Sequence, residues 1–399
     1  MKKIFSGVCA AALSLALLAA PVQAAADIRV ELDGTPLTFT DAAPLAQNGR
    51  TYLPFRAIFE AMGAEVGWDA ASQTVSAVRD GRTVTLTPGE TDIRITEDGV
   101  STILATDAAP YARDGRTYVP VRFAAEAFDA AVGWEQSTRT VHIADTAALL
   151  DRYDGSFALL QKMLDTAALA YPAAPQRVSG RFTLSSVTQT AMGSLPVTMS
   201  GTFSGDADRI SAAYTGTCAT DTEALRNAIT ANEGEVIDSR IEALLRRFEK
   251  FTFGTVLNYS TGTRYLRSEN LGEFGLSGAG GWVSDALPAY GAPLPTDARD
   301  FVRAQAAKAD PAEVTAVFDA LSDASAAGNT LTVNGTTLTL SGKNLTVETV
   351  FADGTARVET LSKNRRSCVL MRGTADRTET LTCSITLRAG GETPERTPL

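Results

Sequence analysis

The chain has 399 residues, with 36 lysines and arginines, 46 aspartates and glutamates, and a single histidine. A net charge of −10 leaves no broad basic field for nucleic acid or an anionic membrane surface, and one imidazole cannot furnish a histidine-rich metal centre. The length suits two domains, or three.

The first residues read as a bacterial export signal. Lys2 and Lys3 precede an apolar run from Val8 to Ala20, and "PVQAAAD" offers cleavage after Ala24. The run is shorter than the roughly 20 residues a membrane span needs. Cys9 lies inside it behind Ser6-Gly7-Val8, which is not a lipobox. A signal peptide over 1–24, a secreted or cell-envelope location, and no transmembrane anchor after cleavage are therefore expected. Loss of Lys2 and Lys3 makes the mature chain still more acidic. "PLPTD" at 293–297 lacks the glycine of a sortase signal and has no apolar tail behind it.

Next comes a repeat. At an offset of 66, Thr40–Val75 falls on Thr106–Val141 without a gap, and about half the positions are identical. In the first copy, Asp33-Gly34 and Asn48-Gly49 are hairpin turns. Tyr52 and Leu53 are extended, since the residue before proline avoids the helical region, and Pro54 suits the first helical position. Phe55, Ile58, Phe59 and Met62 make one apolar helix stripe, which Gly63 closes as a left-handed cap. A strand with Val66 and Trp68 on one face follows, then a hairpin at Asp80-Gly81. The second copy repeats the plan through turns at Asp98-Gly99 and Asp114-Gly115, Pro120, the stripe Val121, Ala124, Ala125, Phe128, and Trp134. Asp129 stands where Gly63 stood, so this helix end is less well specified. Each copy (28–88 and 92–145) reads β-β-α-β-β, and together they form a small α+β module.

The repeated residues are Gly49, Arg50, Tyr52, Pro54, Arg56, Glu60 and Trp68, matched by Gly115, Arg116, Tyr118, Pro120, Arg122, Glu126 and Trp134. They are expected to be structural, with Arg56 and Glu60 pairing at i,i+4 and the arginines fixing strand–helix geometry. A ligand-binding role for the arginines is the other reading. "GRTYLPFRAIFEAMGAEVGWD" and "GRTYVPVRFAAEAFDAAVGWE" resemble the copper amine oxidase N-terminal, or stalk, domain, over residues 28–145. The resemblance implies an α+β accessory module of exported proteins, away from any catalytic core, and does not imply amine oxidation.

"TVLNYS" imitates the quinone-forming motif of those oxidases through Thr255, Asn258 and Tyr259, with Ser260 in place of the acid. Copper there needs three histidines, and this chain has only His142, which aligns with Ser76 and reads as a strand-surface residue. "GLSGAGG" places its second glycine one residue too early for a nucleophile elbow. No phosphate loop, dinucleotide fingerprint or calcium loop is present. Cysteines without C-x-x-C spacing make no zinc site. An acid-pair hydrolase remains a less favoured reading, because two carboxyls suffice for it, and the few tryptophans do not suggest a sugar-stacking cleft. No cofactor is expected.

From Asp145 a helical stretch covers 146–175, interrupted at Gly155; it is either a linking helix or the first helix of the next domain. Residues 176–399 then read as a β-rich domain with helices near 236–250 and 297–325, the latter broken at Asp310-Pro311, and loop-like from Gly281 to Thr296. The final meander turns at Asn334-Gly335, Ser341-Gly342, Asp353-Gly354 and near Gly373. Consecutive strands with helices between them imply one curved antiparallel sheet, or half-barrel. In pattern this is similar to LolA-like carriers, whose concave face holds acyl chains; a concave face filled by its own helices is the alternative. Of Cys218, Cys368 and Cys383, the last two flank a hairpin near Ala375-Asp376, so a disulfide between them and three buried thiols are both open. The overall expectation is an exported, non-enzymatic binding or scaffolding protein meeting cell-wall or envelope components, with a carrier of apolar ligand as the alternative. Nucleic acid is excluded as a partner.

Overall fold

The computed structural model describes residues 27–190, 193–233, 237–270, 281–287 and 293–398. The expected signal peptide and most of the "GLSGAGG" stretch lie outside the described residues. The chain divides into two compact units: one runs to Ala148 and includes Asp310–Thr315, the other holds Leu149–Ala309 and Ala316–Leu399.

In the first unit the two copies of the repeat complete each other. The strand Arg50–Pro54 pairs antiparallel with its own counterpart Arg116–Pro120, placing Leu53 opposite Val119. A local twofold axis therefore passes between these two residues, both fully buried. The outer strands are exchanged. Arg29–Leu32 of the first copy lies parallel to Thr140–Ala144 of the second. The first hairpin of the second copy, Asp92–Glu97 and Val100–Ala105, extends the sheet built from Glu65–Asp69, Thr74–Arg79 and Arg82–Leu86 of the first copy. Neither copy closes a core alone, so the phrase must be written twice for one core to form.

Between the sheets lie the helices Phe55–Ala61 and Val121–Glu126. Phe55, Ile58, Phe59 and Met62 are buried as the spacing predicts. Two details differ from expectation. Pro54 and Pro120 are the last extended residues, with ψ of 121° and 134°, because both belong to the central strand pair; each helix begins one residue later. In the second helix Phe123 enters the core while Val121 is only half-buried.

Both helices end alike. Ala64 N–H donates to Phe59 O and Gly63 N–H to Glu60 O; Ala130 and Asp129 repeat this with Ala125 and Glu126. This double bond pattern needs a left-handed residue in the middle. Gly63 supplies it at φ +83°, and Asp129 accepts it at φ +57° while pairing with Arg82 at 2.7 Å. Gly63→Ala has no such compensation. It is expected to cost about 1 kcal/mol, read as a lower urea midpoint with an unchanged slope.

The second unit is a single curled antiparallel sheet of twelve strands. It runs from Trp282–Ala286 at one edge through Thr263–Ser268, Lys250–Asn258, Ser211–Thr220, Gly193–Ala207 and Gln176–Thr190. It continues with Arg377–Ala389, Arg365–Gly373, Ala356–Ser362, Asn344–Val350 and Thr336–Ser341 to Thr330–Val333. Strand Trp282–Ala286 replaces the loop expected there. The predicted helical stretch after Asp145 is two helices, Thr146–Arg152 and Ala158–Ala168, separated around Gly155 at φ +77°. The second packs against the strands Thr336–Ser341, Asn344–Val350 and Ala356–Ser362; its Leu160, Met163 and Leu164, and Leu338, Leu345 and Leu361 of those strands, are all essentially inaccessible. Helices Ser239–Glu249 and Ala298–Ala306 occur where predicted, and Val314–Leu321 follows the proline break. Leu244 on the first of these is exposed. An additional helix, Thr222–Glu233, starts at Asp221, whose side chain caps Ala224 N–H. The opposite sheet face is hydroxylated, with Ser200, Thr202, Thr215, Thr217, Thr380 and Thr382 exposed. Among the described residues no helix is long and apolar enough to cross a membrane.

Candidate functional site

The repeated residues assemble two related grooves on the first unit. One, of about 740 Å³, has Pro120, Val121 and Arg122 on one side, Val132, Trp134 and Val141 along the floor, and Gly49, Arg50 and Thr51 of the other copy facing them. The second, of about 660 Å³, uses Pro54, Phe55 and Arg56, then Val66, Trp68 and Val75, then Gly115, Arg116 and Thr117. Each residue of one set stands 66 positions from its partner in the other. Every groove is thus made of the helix start and tryptophan strand of one copy and the turn of the other.

The turns are shaped by Asn48-Gly49 and Asp114-Gly115, all four at positive φ, which type I′ geometry demands. Each turn then aims its arginine across the axis. Arg50 donates to Asp107 from Nε (3.2 Å) and Nη2 (3.0 Å), and Arg116 donates to both oxygens of Asp41. These hydrogen bonds are the leading reason that both carboxyls titrate below the usual range. All four side chains are substantially exposed. The arginines at 50 and 116 therefore tie copy to copy, while Arg56 pairs with Glu60 along its helix at 3.1 Å. Arg122 and Glu126 are both exposed. Tyr52 and Tyr118 are buried beneath the central strands, with Tyr111 stacked on Tyr118 at 5.5 Å and edge-on to Tyr52 at 5.0 Å.

The tryptophans are the unexpected part. Trp68 is 51% and Trp134 44% exposed; both line the grooves and stand outside the core. Trp134 Nε1 donates to Gln136 at 2.9 Å. Sequence reasoning also missed Asp41 and Asp107, although both sit in the repeated "TDAAP". It missed Arg139 as well. That residue lines the Trp134 groove, and its Nε is buried without a hydrogen-bond partner.

The single histidine lies between Glu31 (3.1 Å) and Glu135 (3.4 Å) on the strand Thr140–Ala144. Among the described residues no three His, Cys, Asp or Glu side chains gather as a metal site. In the imitation motif, Asn258 accepts from Ser260 and Thr261 as a turn and donates to Arg396 O. Its role is structural.

These paired grooves belong to a recognisable module. Residues 31–143 match the family model of the copper amine oxidase N-terminal domain. No curated protein matches the chain. The matched segment spans both copies, so the stalk domain here is the complete twofold unit, and both grooves lie within it.

In the second unit, Cys368 and Cys383 stand directly opposite on neighbouring antiparallel strands. Opposed residues there are about 4.5–5.5 Å apart at Cα, inside the span of a disulfide. Both are free thiols in this structure, as is the buried Cys218. Burial pushes the Cys383 thiol up to about 11. Beside them the inner sheet face carries a buried polar cluster. Arg366 lies over the Tyr171 ring at 4.4 Å, Tyr171 Oη donates to Glu359 Oε1 at 2.9 Å, and Arg357 pairs with Glu359. A shallow groove of about 890 Å³ in this unit lies over polar residues, among them Thr202, Thr215, Thr217, Arg267 and Glu269.

Proposed function

We propose that the protein is an exported, non-enzymatic component of the bacterial cell envelope that binds or scaffolds envelope material through its stalk domain. The observation carrying this reading is the pair of solvent-facing grooves, each with a half-exposed tryptophan beside a fixed Arg–Asp pair. Exposed aromatic rings and oriented charged groups recur at binding surfaces, whereas a core role would have buried the indoles. The inner sheet face of the second unit is filled by its own helices where Leu160, Met163 and Leu164 pack, which favours this reading over a carrier.

The full-length protein is expected to pellet with isolated cell walls, and deletion of residues 28–145 to abolish pelleting. A full-length protein that stays in the supernatant would overturn the reading. The carrier alternative draws on Phe182, Leu184, Met199, Leu370 and Leu381, half-buried on the inner face. Bound lipid in native mass spectra would support it.

Export carries a further expectation. In an oxidising compartment the opposed pair should close. Protein recovered from the medium should then be two hydrogens lighter than the fully reduced chain, with Cys218 as the alkylatable thiol. Three alkylatable cysteines would contradict it.

A further inference from the structure

The two grooves are alike in shape and unlike in charge. The Trp68 groove is lined by Arg56 and Arg116 against Asp41 and Glu60, a balanced set. The Trp134 groove is lined by Arg50, Arg122 and Arg139 against Asp107 alone. Two changes make the difference. Arg139 takes the place held by Gln73 in the other copy, both at positive φ, and Glu126, the counterpart of Glu60, is not among the lining residues. The single acid is already bound by Arg50. The surplus is thus two positive charges in a protein whose net charge is −10.

We infer that the Trp134 groove is a binding site for an acidic saccharide, a pyranose bearing a carboxylate or phosphate. This inference rests on the envelope-binding reading of the same surface. The half-exposed indole offers a flat apolar face on which the C–H face of a sugar ring can stack, while the ring's edge stays polar and wet. The Arg50–Asp107 pair presents donors and an acceptor side by side, which suits vicinal hydroxyls. Arg122 and Arg139 supply the charge for an anionic substituent. The groove volume of about 740 Å³ is within the range of small-molecule sites. An acidic peptide would meet the charge but offers the indole no comparable plate.

The test uses the full-length chain with Trp68→Phe and Trp282→Phe, leaving Trp134 as the only indole. Trigalacturonic acid, glucose 6-phosphate, maltotriose and triglutamate are titrated against its fluorescence. Saturable quenching is expected from one or both acidic sugars, and which one responds separates a carboxylate ligand from a phosphate ligand. Maltotriose should bind on the order of tenfold more weakly. The preference should shrink with added salt and vanish in Arg122→Gln/Arg139→Gln. Glutamine is already accommodated at the equivalent Gln73, and circular dichroism verifies that the variant is folded. The mirror protein retaining Trp68, made with Trp134→Phe and Trp282→Phe, should show no preference for acidic over neutral sugar.

No quenching, equal response to maltotriose, or triglutamate binding as tightly as the sugars would each overturn the inference. Cell-wall pelleting separates the two levels. A chain that pellets but whose Trp134 stays silent keeps the envelope-binding reading and loses the saccharide site. A chain that does not pellet but titrates with acidic sugar does the reverse.

Discussion

Phe59→Ala is expected to destabilise the stalk domain by about 3–5 kcal/mol. The side chain is fully buried and touches aromatic rings from both copies: Phe55 at 4.4 Å, Phe128 at 5.5 Å and Phe123 at 6.2 Å between centroids. The symmetry of the backbone makes this position unforgiving. Its counterpart across the axis is Ala125, and the counterpart of Phe55 is Val121, so the first helix supplies volume where the second leaves room. Phe123 reverses the trade against Ala57. Truncating Phe59 empties a space whose partner residue is already alanine, and close-packed interiors collapse only partly into such voids. Because the strands of the two copies are exchanged, both halves should lose structure in one transition. Urea unfolding of the isolated stalk segment would show a lower midpoint and a single step. A loss below about 1 kcal/mol, or two separated steps, would contradict the shared core.

The same symmetry explains what could be read from the sequence. The periodicity of Phe55, Ile58, Phe59 and Met62, the Asn-Gly and Asp-Gly turns, and the 66-residue offset are local signals, and they define most elements of the stalk domain from the sequence. The exchange of strands is not local. Nothing in "IRVEL" says that its neighbour is "TVHIA", over a hundred residues away, and parallel rather than antiparallel. The grooves inherit that difficulty, since each combines a turn from one copy with a tryptophan from the other. Trp68 alternates with Val66 on a strand. That alternation fixes a shared face and leaves open whether the face is covered. Asp129 was legible in part: a left-handed cap was signalled by its alignment with Gly63, but the compensating contact with Arg82 needed the fold. In the second unit the Gly-centred hairpins were visible. The Thr222–Glu233 helix was hard to read in the sequence although Asp221-Thr222-Glu223 is a good helix start, since its apolar face is weak. The edge strand Trp282–Ala286 was hidden by glycines and prolines on both sides.

Alkali should unfold the second unit between about pH 10 and 12, through its buried phenols. Tyr171 and Tyr214 are 7% and 8% exposed and lie beside Arg366, itself 6% exposed. Burial raises both phenols above the ordinary value of 10, Tyr171 to about 12, and the nearby Arg366 cation offsets this only in part. Ionising Tyr171 would also take away the proton it donates to Glu359 and set two negative charges together. A phenol whose proton is held more tightly in the folded chain than in the unfolded one contributes its full stability below pH 10. That contribution is lost as the pH rises through 12. For Tyr171 alone the shift from 10 to about 12 corresponds to roughly 3 kcal/mol, and Tyr214 adds in the same direction. The urea midpoint should be flat from neutral pH to about 9.5 and then fall steeply. Tyr171→Phe separates the cause from general alkaline damage. It should lower stability at neutral pH by about 1 kcal/mol, because Glu359 loses a donor, yet flatten the decline above pH 10. An unchanged decline in that variant would show that the sensitivity lies in other groups. A flat wild-type profile up to pH 12 would show that the phenols around Arg366 are far more accessible to water than their burial implies.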